Sequence, residues 1–304
     1  MAPGWLWILL TVWAGFAQTL RNAAQRHLIA DLGTLGATLV RFLFGLPFAL
    51  IYLGVVLAIS GESIPAITLP FLGWVAEGGV SQILATALLL FVMHERNFAV
   101  GVAYSKTELV QVTVFAAVFL GDPTSLWTVI AVVVATIGVL MLSPVDPTRR
   151  LRSLVQGWTS RTALMGVASG GLFAIAAVGY RGAALELDEA PYALAAAYTL
   201  VWAMSIQVVL LGGWLLWRNP AVIRALARVW KPSMGAGFMG AAASVGWFTA
   251  FAIEPAAHVR TLGLVELLFS FVVARRFFKE RLAFAELAGV AMLTLALVIV
   301  TLGA

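Results

Sequence analysis

The run Tyr104-Ser105-Lys106-Thr107-Glu108 sets a base, an acid and three hydroxyls within one short stretch of an otherwise apolar chain, and Gln111 and Thr113 follow closely. Ionisable side chains inside an apolar span cost several kcal/mol unless they are paired or wetted, so such a run marks a polar path. At helical spacing Gly101, Tyr104, Glu108, Gln111 and Phe115 share one face, polar in its middle, that would line a central cavity. Lys106 projects about 200° from Glu108, at roughly 100° per residue, so the two are not expected to neutralise each other. Its candidate partners are Glu77 and Glu266. A carboxylate at Glu108 or Glu266 suits a substrate ammonium group or a coupling proton. Lys106, Arg41 or Arg260 suits a substrate carboxylate, and an amino acid needs both charges met. The plainer alternative is a set of structural ion pairs that fix helix packing. Arg41 is also placed to snorkel towards the headgroups. Arg260 reads as interfacial and Glu286 as structural.

Aromatic side chains inside spans can stack on an aromatic or cationic substrate. Trp13, Tyr198 and Trp247 lie near Gln18, Gln207 and Ser244 respectively and are candidates for the cavity wall. The alternative is the interfacial aromatic belt, which Trp5, Trp7, Trp127, Trp217 and Trp230 fit better. Other chemistry is poorly served. Cysteine is absent, and His27, His94 and His258 form no ligand-spaced pair, so no metal and no cofactor is expected. No Gly-rich loop ends in Gly-Lys-Ser/Thr, so ATP-driven pumping is not expected, and neither HExxH nor GxSxG occurs. An enzyme is therefore not expected.

These residues must be positioned by membrane-spanning helices. The chain has 304 residues, 62% of them hydrophobic and 11% charged. Its mean hydropathy is +0.99. About 20 apolar residues cross a bilayer as a helix. Ten such stretches are expected, at 4–20, 34–59, 69–93, 99–120, 125–143, 162–180, 191–217, 234–253, 258–277 and 283–303. The polar segments Arg21–Gly33, Pro144–Arg161, Arg181–Pro191 and Arg218–Pro232 are expected as loops. The first stretch has no basic residue before it and no small-x-small cleavage site, which predicts a retained helix. The formal net charge of +5 sits in loops between spans, which argues against a nucleic-acid partner.

The chain also repeats. A shift of 158 residues sets Glu108-Leu109 on Glu266-Leu267, Val114 on Val272, Thr136 on Thr294, and Asp122 on Glu280. A shift of 160 sets Arg21 on Arg181. The expected organisation is a first five-helix repeat (1–145), a cytoplasmic linker (146–161) and a second five-helix repeat (162–304). Five is odd, so the halves must be inverted, an arrangement that builds two alternately open faces around a midplane site. Of the 19 Lys and Arg residues, 15 fall in odd-numbered loops. The positive-inside rule makes those loops cytoplasmic and both termini periplasmic.

The segment Val102–Leu142 resembles the EamA type of the drug/metabolite transporter superfamily. The resemblance rests on Glu108-Leu109-Val110, then Leu120-Gly121-Asp122, then a helix containing Gly138. A second copy reads Glu266-Leu267-Leu268, then Phe278-Lys279-Glu280. Leu109 and Leu267 stand where that family has proline, and the family's basic N-terminus and basic second loop are missing. Trp13, followed eight residues later by Arg21, resembles the aromatic amino-acid exporter branch. The resemblance implies an all-α integral membrane protein of a bacterial inner membrane. It would export amino acids or similar small metabolites by alternating access, without ATP, using the lipid bilayer as solvent and in some cases protons as coupling ions. The alternatives are a multidrug or quaternary-cation exporter and a non-transporting membrane protein. A reporter active only in the periplasm, fused after Ala304, is expected to be active; activity of a cytoplasmic reporter instead would reverse the orientation.

Overall fold

A computed structural model describes residues 3–95, 98, 102, 105–122, 125–142, 161–187 and 189–277, with 288, 291–292, 295–296 and 298–299 of the last segment. Among the described residues the chain is helical, without strands. The Phe278-Lys279-Glu280 motif, most of the 146–161 linker, Gly101, Tyr104, Glu286 and most of the 283–303 span lie outside them.

The helices are α1 (Leu6–Leu43), α2 (Leu46–Ser60), α3 (Leu69–Glu95), α4 (Glu108–Leu120), α5 (Leu126–Leu142) and α6 (Arg161–Leu185). Then follow α7 (Tyr192–Gln207), a wide π-type turn (Val208–Gly212) and α8 (Gly213–Arg218). The last described are α9 (Pro220–Arg228), α10 (Trp230–Ile253), α11 (Ala256–Leu262) and α12 (Val265–Arg276). Among the described residues six helical stretches are long and apolar enough to cross a membrane. In hydrocarbon every backbone amide must bond within the protein, and a helix meets that need within one segment. Large apolar side chains such as Ile59 (82% exposed), Leu69 (84%) and Trp217 (77%) lie on the outside, where lipid takes the place of water. The chain is an all-α, multi-pass membrane protein.

Leu6–Ser60 contains 55 residues. At about 1.5 Å per residue that is far longer than a ~30 Å hydrocarbon core, so it must fold back. Gly33 (φ 67°, ψ 173°) is the non-helical residue inside α1. Gln25 Nε2 donates to the Ala37 carbonyl at 2.7 Å. Twelve residues apart on an unbroken helix would be about 18 Å, so the two arms run back past each other.

The structure corrects the expected loops. Arg21–Leu32 is helix, not loop: Arg21, Asn22 and Gln25 are polar because they have partners inside the protein, not because they meet water. Arg181 is helical and buried for the same reason. The expected loop after Arg218 carries the short helix α9, whose Leu226 is buried while Arg224 and Arg228 are exposed. The expected continuous helices 99–120 and 258–277 are both interrupted, at Lys106–Thr107 and at Gly263–Leu264.

Two apolar clusters surround the interior. One gathers Phe42, Leu90, Met93, Leu109 and Leu267. The other gathers Phe71, Val75, Tyr180, Trp247 and Phe251. Gly33 occupies a region of backbone space that is essentially open to glycine alone, whereas Gly61 (φ 68°, ψ 8°) and Gly121 (φ 67°, ψ 21°) sit in the left-handed helical region that asparagine tolerates. Both Gly33→Ala and Gly33→Asn are therefore expected to destabilise the detergent-purified protein by about 1–3 kcal/mol. Gly61→Asn is expected to melt close to wild type, which thermal denaturation checks.

Candidate functional site

The buried charges converge on Glu266, which is 1% exposed. Its Oε2 accepts hydrogen bonds from Gln18 Nε2 at 2.7 Å and from Lys106 Nζ. Its Oε1 accepts one from Asn22 Nδ2 at 3.1 Å. Lys106 Nζ also lies 3.6 Å from Glu108 Oε1. Arg260 Nη1 approaches that same oxygen at 3.7 Å. The Arg260 guanidinium rests over the rings of Trp247 (4.8 Å) and Phe251 (5.2 Å), a cation–π arrangement that replaces lost hydration. Trp247 Nε1 donates to Gln18 Oε1 at 2.9 Å, so the two sides of the cluster are joined by neutral groups.

Two more guanidinium groups complete it. Arg21 donates from Nη2 to Asn22 Oδ1 at 2.7 Å and from Nε at 3.3 Å. Arg41 donates from Nη1 to Thr86 Oγ1 at 3.2 Å. Arg21, Arg41 and Arg260 lie within electrostatic range of one another and of Glu266.

Local backbone geometry places the two acids. Thr107 (φ −60°, ψ −14°) precedes α4, and Leu264 (φ −60°, ψ −17°) precedes α12. Each carboxylate thus sits in the first turn of a helix, where the helix dipole favours negative charge. The same interruptions correct the helical-wheel geometry. With the helix broken at Lys106–Thr107, Lys106 is not turned away from Glu108 but reaches both acids. Its partner among the two candidates is Glu266.

Other expected site residues lie elsewhere. Glu77 is half-buried, accepts from Ser81 Oγ at 3.2 Å, and faces a lateral apolar cavity of about 320 Å³ with Trp74, Phe115 and Phe119. Gln111 packs against Gly171 of α6, and its Oε1 has no hydrogen-bond partner among the described residues. Tyr198 is stacked on Phe71 at 5.6 Å, outside the cluster. Trp13 is 47% exposed beside Phe16, so it does not line the interior. Ser244 is buried on α10, one turn before Trp247. Tyr104 lies outside the described residues. Arg41 does not snorkel; it is 2% exposed. Arg260 is not interfacial; it is 5% exposed and central. Both corrections have one cause: aromatic and hydroxyl partners inside the protein take the place of headgroups. Sequence reasoning missed Arg21, Asn22 and Thr86. Arg21 was visible as the repeat partner of Arg181, but its charge was assigned to topology.

A second polar network ties the end of α4 to α6 and to the α10–α11 junction. Arg181 Nε donates to Asp122 Oδ1 at 2.9 Å and to Oδ2 at 2.7 Å. Its Nη1 donates to the carbonyls of Phe251 (2.7 Å) and Glu254 (2.8 Å). Nearby, His258 bridges Glu254 (2.6 Å) and Thr128 (2.9 Å).

Removing one member of a buried ion pair leaves the other uncompensated, at about 3–5 kcal/mol. Lys106→Met and Glu266→Gln are each expected to lose about that much stability, and the double variant less than the sum. Strict additivity in a double-mutant cycle, read by thermal melts, would show that the two groups do not interact.

No family model matches the chain, and no curated protein matches it. A solved structure described as "Crystal structure of protein" is similar over 96% of this chain and 96% of its own, with a TM-score of 0.63 at 14% identity. At that identity the likeness speaks to the fold alone.

Proposed function

We propose that this chain is a secondary transporter of small charged metabolites such as amino acids, an exporter working by alternating access around the Glu108–Lys106–Glu266–Arg260 cluster. The observation that carries this reading is the burial of that cluster, acids and bases together, among helices of membrane-spanning length. A purely structural role would be met by a neutralised pair. Here the groups are distributed over α1, α4, α11, α12 and the turn at Lys106, none of which needs the others' charge to form a helix. An intramembrane ionisable cluster that gathers so many elements points to passage of a charged solute.

The finer organisation belongs to the same proposal. Ten spans form two inverted repeats, 1–145 and 162–304, related to the EamA type. The helix interruptions before Glu108 and before Glu266 support it, since they fall within one residue of the same register in the two halves. Interrupted helices at a midplane site are a recurrent device of inverted-repeat transporters. The orientation, with both termini periplasmic in a bacterial inner membrane, draws support from burial. Leaving aside buried Arg21, Arg41, Lys106, Arg181 and Arg260, and Arg26 on α1, every Lys and Arg lies in or beside an expected odd-numbered loop. The quaternary-cation reading is weaker, because Lys106 and Arg260 beside Glu108 repel a cation.

Purified protein in liposomes is expected to take up labelled amino acids or related metabolites, with a rate that responds to a pH gradient if Glu108 carries a coupling proton. Glu108→Gln is expected to lower uptake at least about tenfold, as the loss of a charge-assisted contact does, while the protein stays monodisperse. Unchanged uptake in that variant would remove Glu108 from the site.

A further inference from the structure

The buried cluster has more positive charge than negative. Arg21, Arg41, Lys106 and Arg260 are all at least nine-tenths buried, and so are Glu108 and Glu266. Lys106 and Glu266 satisfy each other, and Arg260 is the nearest cation to Glu108 after Lys106. Arg21 and Arg41 meet only neutral side chains in the described hydrogen bonds, Asn22 and Thr86. Counting half-buried Glu77, whose carboxylate is bonded to Ser81, still leaves a positive excess among the described residues.

The donors tell the same story independently. Among the described residues, Arg21 Nη1, Arg41 Nε and Arg260 Nε are each buried without a hydrogen-bond partner. A guanidinium N–H stripped of water and left unpaired is among the costlier arrangements a protein interior can hold. Three of them around one cluster are more than a packing fault. The stems of Arg21 and Arg41 pass one glycine: a Cβ at Gly240 would lie 3.4 Å from Arg21 Cδ and 3.3 Å from Arg41 Cγ. The sequence thus keeps a side chain out of the place where these arginines run side by side.

We infer that the cluster takes an organic anion bearing two acidic groups, held by the unpartnered guanidinium nitrogens of Arg21, Arg41 and Arg260. This rests on the transporter reading above and narrows its substrate class. The arginine fork matches the paired oxygens of carboxylates and phosphates alike, so the shared chemistry is a small dianion. A zwitterion with one carboxylate leaves an excess positive charge in place, and a cation adds to it. Lys106 and Glu266 form the internal pair, and the dianion completes the neutralisation of the remaining positive charge.

The test is uptake by purified protein in liposomes of four labelled probes at equal concentration: succinate, glycerol 3-phosphate, L-alanine and tetraethylammonium. Transport of succinate identifies a dicarboxylate site, and transport of glycerol 3-phosphate an organic-phosphate site; either supports the inference. In either case Arg21→Met and Arg260→Gln are expected to lower uptake by at least about thirtyfold, as loss of one partner of a buried charge pair does. Arg21→Lys, which keeps the charge without the fork, is expected to recover part of it. Exposed Arg228→Gln serves as the control and stays at the wild-type rate. The wild-type comparison decides the matter even where a variant fails to fold. Transport of alanine or tetraethylammonium with neither dianion would overturn the inference and leave the transporter reading standing. Transport of none of the four by monodisperse protein would overturn both.

Discussion

Holding the Glu266 carboxylate away from water is the constraint on which the rest of the structure depends. At membrane depth a lone carboxylate costs several kcal/mol, and here it is relieved by three donors from distant parts of the chain. Gln18 and Asn22 lie on the first helix, and Lys106 lies in the turn before α4. The carboxylate therefore fixes α1, α4 and α12 in one relative position. The backbone shows the consequence. A Cβ at Gly15 would lie 3.2 Å from Val265 Cγ1 and 3.4 Å from the Glu266 amide, so α1 can come this near only where its residue lacks a side chain. In lipid, close helix contact of this kind takes over much of the role that apolar burial has in water.

The interruptions of α4 and α12 follow from the same need. A continuous helix through Lys106 and Glu108 would turn the two side chains to different faces. The turn at Lys106–Thr107 lets both reach the interior. Gly263 and Leu264 do the same before Glu266, with nearly the same dihedral angles at Leu264 as at Thr107. Local backbone irregularity at membrane depth is tolerated where it is buried in protein, and both interruptions are.

This explains what the sequence could and could not say. The spans at 69–93, 191–217 and 234–253 were legible because apolar length is a property of one segment, and the structure places helices there. Arg21, Asn22 and Gln25 looked like a loop, since polarity alone does not distinguish water from a partner inside the protein. Their partners, Glu266 and the Ala37 carbonyl, could only be supplied by tertiary structure. Arg260 was placed at the interface for a related reason. Its neighbours in sequence are unremarkable, whereas its neighbours in space are two aromatic rings on α10. The angle between Lys106 and Glu108 failed differently: it assumed a regular helix where a turn occurs. No residue in that stretch is a proline or glycine, so local composition carried no sign of the break, although Gly263 did mark the second one.

The aromatic residues also join the charge cluster to the Arg181–Asp122 network. Phe251 lies under the Arg260 guanidinium, and its carbonyl is held by Arg181. Arg181 in turn holds Asp122, whose Oδ2 accepts the Ala256 amide at 3.2 Å at the start of α11. Arg260 is four residues further along that same helix. The α4–α5 turn, the end of α6, the α10–α11 junction and the central cations are therefore one bonded unit. A movement that separated Asp122 from Arg181 would loosen the Phe251 carbonyl and the α11 amide together. Both lie next to the group that steadies Arg260. The two networks of this protein are thus not separate features: the residue that bears the central charge stands on the helix that the Arg181–Asp122 network ties down.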